Sequence, residues 1–154
     1  MHFTKLIAAA ACCFSLGLAT QVDKATYQKS IAPSVIQHIT NFRTENAATL
    51  EPAQSAYIAK ILQYVSVADF SDLDAVEREA HELFDKDIAN YLLAGKDKEL
   101  QTRNLLTRAD PACACATDSD YCFNSKECKE TSGCKDIADS CGTFQTFDCN
   151  GLCY

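Results

Sequence analysis

Glycine is scarce in the first two-thirds of this 154-residue chain, where Gly95 is the only one between Gln21 and Arg108. A phosphate-cradling loop needs several closely spaced glycines, and a nucleophile elbow needs two around its serine. The sequence contains neither motif. His38 and His81 do not fall into a metal-ligand spacing such as His-Glu-x-x-His. We therefore expect no enzymatic activity, no cofactor and no bound metal.

Cysteine is absent between Cys13 and Cys113, whereas eight cysteines occupy the last 42 residues. An even set of cysteines in a short exported segment indicates a disulfide framework. Spacing leaves the pairing open, because eight cysteines allow 105 connectivities. Cys113 and Cys115 should pair with other partners, since a bridge across one residue would be strained. The expected framework comprises Cys113, Cys115, Cys122, Cys128, Cys134, Cys141, Cys149 and Cys153.

A metal site is the competing interpretation of these cysteines. Zinc sites favour Cys-x2-4-Cys pairs, often with histidine, and here every gap but two is wider than that. Zinc or an iron–sulfur cluster would also require reduced thiols, which the oxidising environment of an exported protein does not favour. Asp118 and Asp120 are acidic residues of the kind found in calcium loops. No further oxygen ligands follow at the spacing of such a loop, so we expect these side chains to cap a turn instead.

Long apolar runs are missing beyond the first 20 residues, so no transmembrane segment is expected in the mature chain. Met1 to Lys5 carries one positive charge, and the apolar stretch from Leu6 to Leu18 has the length of a signal-peptide core. Residues 1–19 are therefore predicted to be a signal peptide of a secreted, extracellular protein. The alternative is a lipoprotein signal in which Cys12 is acylated.

The cysteine-free stretch, residues 20–108, is predicted to be helical because its apolar residues recur at helical spacing. We expect three to four short helices joined to a small disulfide-rich C-terminal domain. Ser71 with Asp74 resembles a capping box, and Gly95 is a natural helix stop. The polar segment from Asn41 to Glu51 is predicted to be a connection. The predicted helices are Pro33 to Phe42, one opening at Pro52, one from Ser71 to Gly95, and a short one from Lys98 to Leu106.

The third predicted helix carries a run of acidic side chains. Basic neighbours, Arg78 and Lys86, indicate an ordinary solvated face with local charge pairs; an acidic docking surface is the alternative. The acidic residues are Glu77, Glu79, Glu82, Asp85 and Asp87.

Residues 109–154 contain no histidine or arginine and few large apolar side chains. So small a core is the regime in which disulfides replace burial, and four bridges at roughly 2–4 kcal/mol each would supply the missing stability. The boundary should lie near Thr107 to Pro111. Four aromatic residues could instead contact a partner, although they could equally be the core of the domain: Phe123, Phe144, Phe147 and Tyr154.

The cysteine-rich stretch resembles the fulvocin C-related cysteine-rich bacteriocins. The shared features are the Cys113-Ala-Cys115 start, the segment from Ser119 to Cys122, the next three cysteine gaps, and Cys141 followed by glycine. The last two cysteines lie three residues apart here and closer together in fulvocin C. Secreted proteins of this kind also carry an N-terminal helical region, with which the stretch from Leu50 to Leu62 is compatible.

This resemblance implies a bacteriocin-like toxin that acts on competing bacteria through an envelope component or a protein receptor. Three lysines face eight acidic residues from Ala109 onward, a net charge of −5, so attraction to anionic lipid does not drive binding. No nucleic-acid partner is expected either. Residues 20–108 would then be a propeptide removed after Arg108, or that arginine belongs to an ordinary linker. The rival functions are a secreted effector or inhibitor without killing activity, and a cysteine domain that only stabilises a binding site in the helical half.

Overall fold

A computed structural model describes residues 23–95, 112–119, 121–122 and 127–154, without the side chain of Asp139. We call residues 23–95 the helical region and the described residues from Ala112 onward the cysteine part. The predicted signal peptide, the segment from Lys98 to Leu106, the boundary near Thr107 to Pro111, Arg108 and Phe123 all lie outside the described residues.

Five helices form the helical region, and the cysteine part contains two small antiparallel sheets. The predicted fold class, a helical region joined to a small disulfide-rich domain, is therefore confirmed. The helices are α1 (Lys24–Ser30), α2 (Ala32–Glu45), α3 (Pro52–Val67), α4 (Leu73–Leu83) and α5 (Lys86–Ala94). No helix among the described residues is long and apolar enough to cross a membrane.

Two helix boundaries agree with the sequence prediction. Helix α3 begins at Pro52, where Glu51 and Gln54 form a reciprocal capping box. Helix α5 ends before Gly95, which takes the left-handed conformation (φ 63°) that favours glycine. A Cβ atom at this position would lie 3.1 Å from the methyl groups of Val35, so close packing also favours glycine.

Other predictions about the helices were wrong. The predicted Ser71–Gly95 helix is two helices, because Phe84 is extended (φ −130°, ψ 156°) and Asp85 caps a new start by accepting a hydrogen bond from the amide of Ile88. Ser71 does not cap α4; its hydroxyl donates to Asp69 instead. The predicted connection from residue 41 is helical as far as Glu45, and α1 was not predicted.

The cysteine part contains four short strands, β1 (Cys128–Glu130), β2 (Ile137–Cys141), β3 (Phe147–Cys149) and β4 (Gly151–Cys153). Strand β1 pairs with β4, placing Cys128 opposite Cys153, and β2 pairs with β3, placing Cys141 opposite Phe147. A one-turn 3-10 helix, Thr143–Gln145, connects β2 to β3. We call Thr143–Gln145 the tip turn.

All eight cysteines of the cysteine part are paired. The bridges are Cys113–Cys134, Cys115–Cys128, Cys122–Cys153 and Cys141–Cys149. The predicted four-disulfide framework is confirmed, and Cys113 and Cys115 pair with other partners, as expected. Such a framework fits an oxidising compartment.

Candidate functional site

The most informative site is the junction where the tip turn enters the helical region. The Phe144 side chain is completely buried, and with Tyr121 it belongs to the same apolar core as residues of all five helices. Helices α2 and α5 contact the tip turn directly. The two parts of the chain therefore share one core, and the tip turn is the main element that joins them.

The backbone of the tip turn is strained. Phe144 (φ 52°, ψ 27°) and Gln145 (φ 60°) both lie in the left-handed region, which bulky side chains rarely adopt. Such residues cost on the order of 1–3 kcal/mol each and persist only where the surroundings fix them. The local surroundings include two backbone hydrogen bonds, from Gln145 to the carbonyl of Gly142 (3.1 Å) and from Thr146 to that of Thr143 (3.2 Å).

Phe144 and Gln145 also form hydrogen bonds to the helical region. The hydroxyl of Tyr27, on α1, donates to the carbonyl oxygen of Phe144 at 2.9 Å. The side-chain amide of Gln145 donates to the carbonyl of Gly95 at 2.8 Å. Tyr27 is itself fixed by an edge-on contact with the ring of Phe70, with ring centroids 4.7 Å apart. Burial raises the pKa of the Tyr27 phenol, so this group remains a neutral donor.

A cluster of buried hydroxyl groups lies beside the tip turn. The hydroxyl oxygen of Thr143 is 3.0 Å from that of Ser119 and 2.8 Å from that of Tyr121. The cluster ends on a carboxylate, because Thr143 donates to Glu77 of α4. Burial, and then the negative charge of Glu77, raise the pKa of Tyr121. The junction is therefore polar as well as apolar.

The three predicted contact residues that the structure describes have different environments. Tyr154 is the most exposed of the three described, at 61% of its surface, and Phe147 is partly buried. Phe144 is inaccessible in the whole chain because the helical region covers it. For Phe144 to contact a target, the two parts would have to separate.

A cleft of about 270 Å³ runs along the junction. Phe70 and Phe147 line it from the helical region and the cysteine part respectively, and its remaining lining is largely carboxylate. The acidic lining residues are Asp72, Asp74, Glu77 and Asp118. Asp118 also lies in a tight turn.

The metal-binding interpretation gains no support from the cysteine pairing. The sulfur atoms of Cys115, Cys122 and Cys128 lie within 4.8 Å of one another, a distance at which reduced thiols could share an ion. All three belong to disulfides, Cys115–Cys128 and Cys122–Cys153, and a disulfide offers no thiolate to a metal. His38 is buried, with Nε2 2.9 Å from the carbonyl oxygen of Tyr91.

Glu77 and Tyr27 are among the junction residues that the sequence did not predict. Glu77 was assigned to a solvated acidic face, yet it lies between Leu73 and Ala80 at helical spacing and therefore on the buried side of α4. That spacing was the available signal. Tyr27 gave no comparable signal, because it is the single buried residue of a seven-residue helix.

No protein-family model matches the sequence, and neither the curated proteins nor the solved structures yield a match.

Proposed function

We propose that this chain is the precursor of a secreted, bacteriocin-like antibacterial toxin, in which the cysteine part is the toxin and the helical region masks it. The observation that carries the proposal is the complete burial of Phe144 by the helical region. An aromatic side chain at the end of a rigid hairpin is suited to contact a target. In the precursor, the Phe144 side chain packs against the helical region of the same molecule and so cannot contact a target.

Two sequence features support this proposal. The N-terminal segment has the organisation of an export signal, and the cysteine pattern resembles that of the fulvocin C-related bacteriocins. Removal of the helical region after Arg108 would release a unit that begins at Ala109 and is held together by four disulfides. The target would be an envelope component or a receptor protein of competing bacteria.

The test is the intact mass of the product recovered from the culture medium, with and without reduction, followed by a killing assay. We expect a fragment that begins near Ala109 and is eight hydrogens lighter than its reduced form. The fragment should kill indicator bacteria, whereas an Arg108→Ala precursor that stays whole should not. A whole-chain product without killing activity would contradict the proposal.

The alternative is a secreted cysteine-rich binding module that acts as a whole chain, as an effector or an inhibitor. The shared core of the two parts favours it, because the described buried side-chain polar atoms all have hydrogen-bond partners, as in a permanent unit. This alternative predicts one product that begins near Thr20, binds a single protein tightly and does not kill.

A further inference from the structure

We propose that the helical region is also a folding template for the cysteine part. It holds the tip turn in the left-handed conformation that brings Cys141 to Cys149, and so directs the closure of this disulfide. The proposal concerns oxidative folding, and its test does not depend on whether the chain kills bacteria.

The backbone strain of the β2–β3 hairpin lies in the tip turn. Closing Cys141–Cys149 requires the chain between them to reverse direction through Phe144 and Gln145, both of which have positive φ. Neither is glycine, so an isolated segment of this sequence would populate the required conformation poorly. The closure therefore needs support from outside the segment.

The helical region supplies that support through hydrogen bonds and packing. The two strained residues are the ones that accept from Tyr27 and donate to Gly95, at 2.9 and 2.8 Å. The side chain of Phe144 completes the helical core. A surface that binds the turn only in this conformation increases the fraction of molecules that adopt it.

The helical region can fold before the disulfides of the cysteine part form. The helical region precedes the cysteine part in the chain and contains no cysteine, so its helices can form before any oxidation. Most of its contacts are between helices close together in sequence, which favours rapid folding. The template is then present when the thiols of Cys141 and Cys149 meet.

The covalent step is an ordinary oxidation. The two thiols lose two protons and two electrons in forming the sulfur–sulfur bond. A small-molecule disulfide such as oxidised glutathione accepts them and is reduced to two thiols, through a mixed disulfide. The template changes only how often the second thiolate reaches the mixed disulfide.

The experiment compares Tyr27→Phe with Tyr57→Phe in the full-length chain. Both tyrosines are buried, and both donate to a backbone carbonyl at 2.9 Å, but Tyr57 bonds to Val76 within the helical region. Each reduced, unfolded chain is refolded in a glutathione redox buffer and quenched by alkylation. Peptide mass spectrometry then follows Cys141–Cys149, with Cys115–Cys128 as the internal reference.

We expect Tyr27→Phe to lower the closure of Cys141–Cys149 relative to the reference about fivefold, the factor that one buried hydrogen bond provides. Tyr57→Phe should change this ratio by less than about twofold, because the hydrogen bond that it removes lies within the helical region and does not hold the tip turn. Equal closure in wild type and Tyr27→Phe would overturn the proposal. So would an equal loss in both variants, since that would reflect the general stability of the helices, which circular dichroism measures in parallel.

A second variant tests the strain itself. Glycine adopts positive φ freely, so Gln145→Gly should make the turn less dependent on its template. In that background, Tyr27→Phe should lower closure by clearly less than the factor seen in the natural sequence. An undiminished effect would contradict the role assigned to strain.

Discussion

At the scale of single residues, the neighbours of Gly142 leave no room for a side chain. Its φ of 69° disfavours any side chain, and a Cβ atom there would overlap the ring of Phe147 and lie 2.9 Å from the Cβ atom of Ser119. Gly133 differs on both counts, since it has no positive φ and its nearest neighbour would be the Thr131 hydroxyl at 3.2 Å.

We expect Gly142→Ala to lower the free energy of unfolding by about 2–4 kcal/mol, because left-handed strain and overlap add together. Gly133→Ala should cost less than about 1 kcal/mol, since its neighbour can rotate away. Urea denaturation of both variants with the disulfides intact measures the difference. Equal costs would show that the described geometry around Gly142 is wrong.

Glu77 supplies the second prediction at this scale. Its carboxylate accepts a hydrogen bond from the buried hydroxyl of Thr143, whereas Glu79, two residues later on α4, forms an exposed ion pair with Lys60. Glu77→Ala should cost about 1–3 kcal/mol, the penalty for a buried hydroxyl without its acceptor. Glu79→Ala should cost between about 0 and 1 kcal/mol, as surface pairs do.

The measurement for this pair is again the free energy of unfolding in urea. Hydrogen exchange at the amides near the tip turn adds a local readout, because only Glu77→Ala should increase exchange there. If Glu79→Ala proved the more damaging change, the junction would not have the polar contact described.

At the scale of elements, the break between α4 and α5 depends on a local cap. Asp85 accepts a hydrogen bond from the amide of Ile88 at 3.0 Å, and Phe84 packs against the rings of Phe42 and Tyr57.

Asp85→Ala should destabilise the chain by about 1 kcal/mol, the usual cost of losing an N-cap. Asp87→Ala, which removes an acidic residue of the same first turn without a cap, should cost about half as much. Thermal unfolding followed by circular dichroism compares the two.

The helices were largely predictable because their signals are local. Pro52 marks the start of α3 and Gly95 the end of α5, and the apolar residues of α2 recur at helical spacing. The break at Phe84 was not predicted, because Leu83 and Phe84 continue the apolar pattern and Asp85, which caps α5, was counted with the acidic face of one long helix. The four disulfides were expected as a set, but their pairing depends on contacts between distant residues.

The junction was the least predictable part of the site. The sequence predicts that Phe144 either contacts a partner or belongs to the core of the cysteine-rich domain. The hydrogen bond from Tyr27 joins residues 117 positions apart in the chain, and the burial of Phe144 likewise depends on residues of the helical region. No pattern within either half contains that information.

At the scale of the whole molecule, stability should depend on alkaline pH. Burial raises the pKa of Tyr27, Tyr57 and Tyr121 above the usual value near 10. The folded chain therefore holds these phenolic protons more tightly than the unfolded chain does. Their contribution to stability is complete below about pH 10 and is lost as the pH rises beyond it.

We expect the urea midpoint to stay level with respect to these groups up to about pH 9 and to fall above about pH 10. Tyrosinate absorbance at 295 nm from the three buried residues should appear together with unfolding. Short incubations limit disulfide exchange during the measurement. A midpoint that stays constant through pH 11 would contradict the burial of these phenols.

The overlapping disulfides determine how the molecule would respond to a pulling force. From Cys113, the covalent route runs to Cys115, across to Cys128, back to Cys122 and across to Cys153, so tension bypasses the tip turn. Residues 23–95 contain no bridge and could lengthen to about 250 Å, at roughly 3.3–3.6 Å per residue. In a force spectrometer, the helical region should therefore extend, whereas the disulfide-linked cysteine part, in series with it, should hardly lengthen.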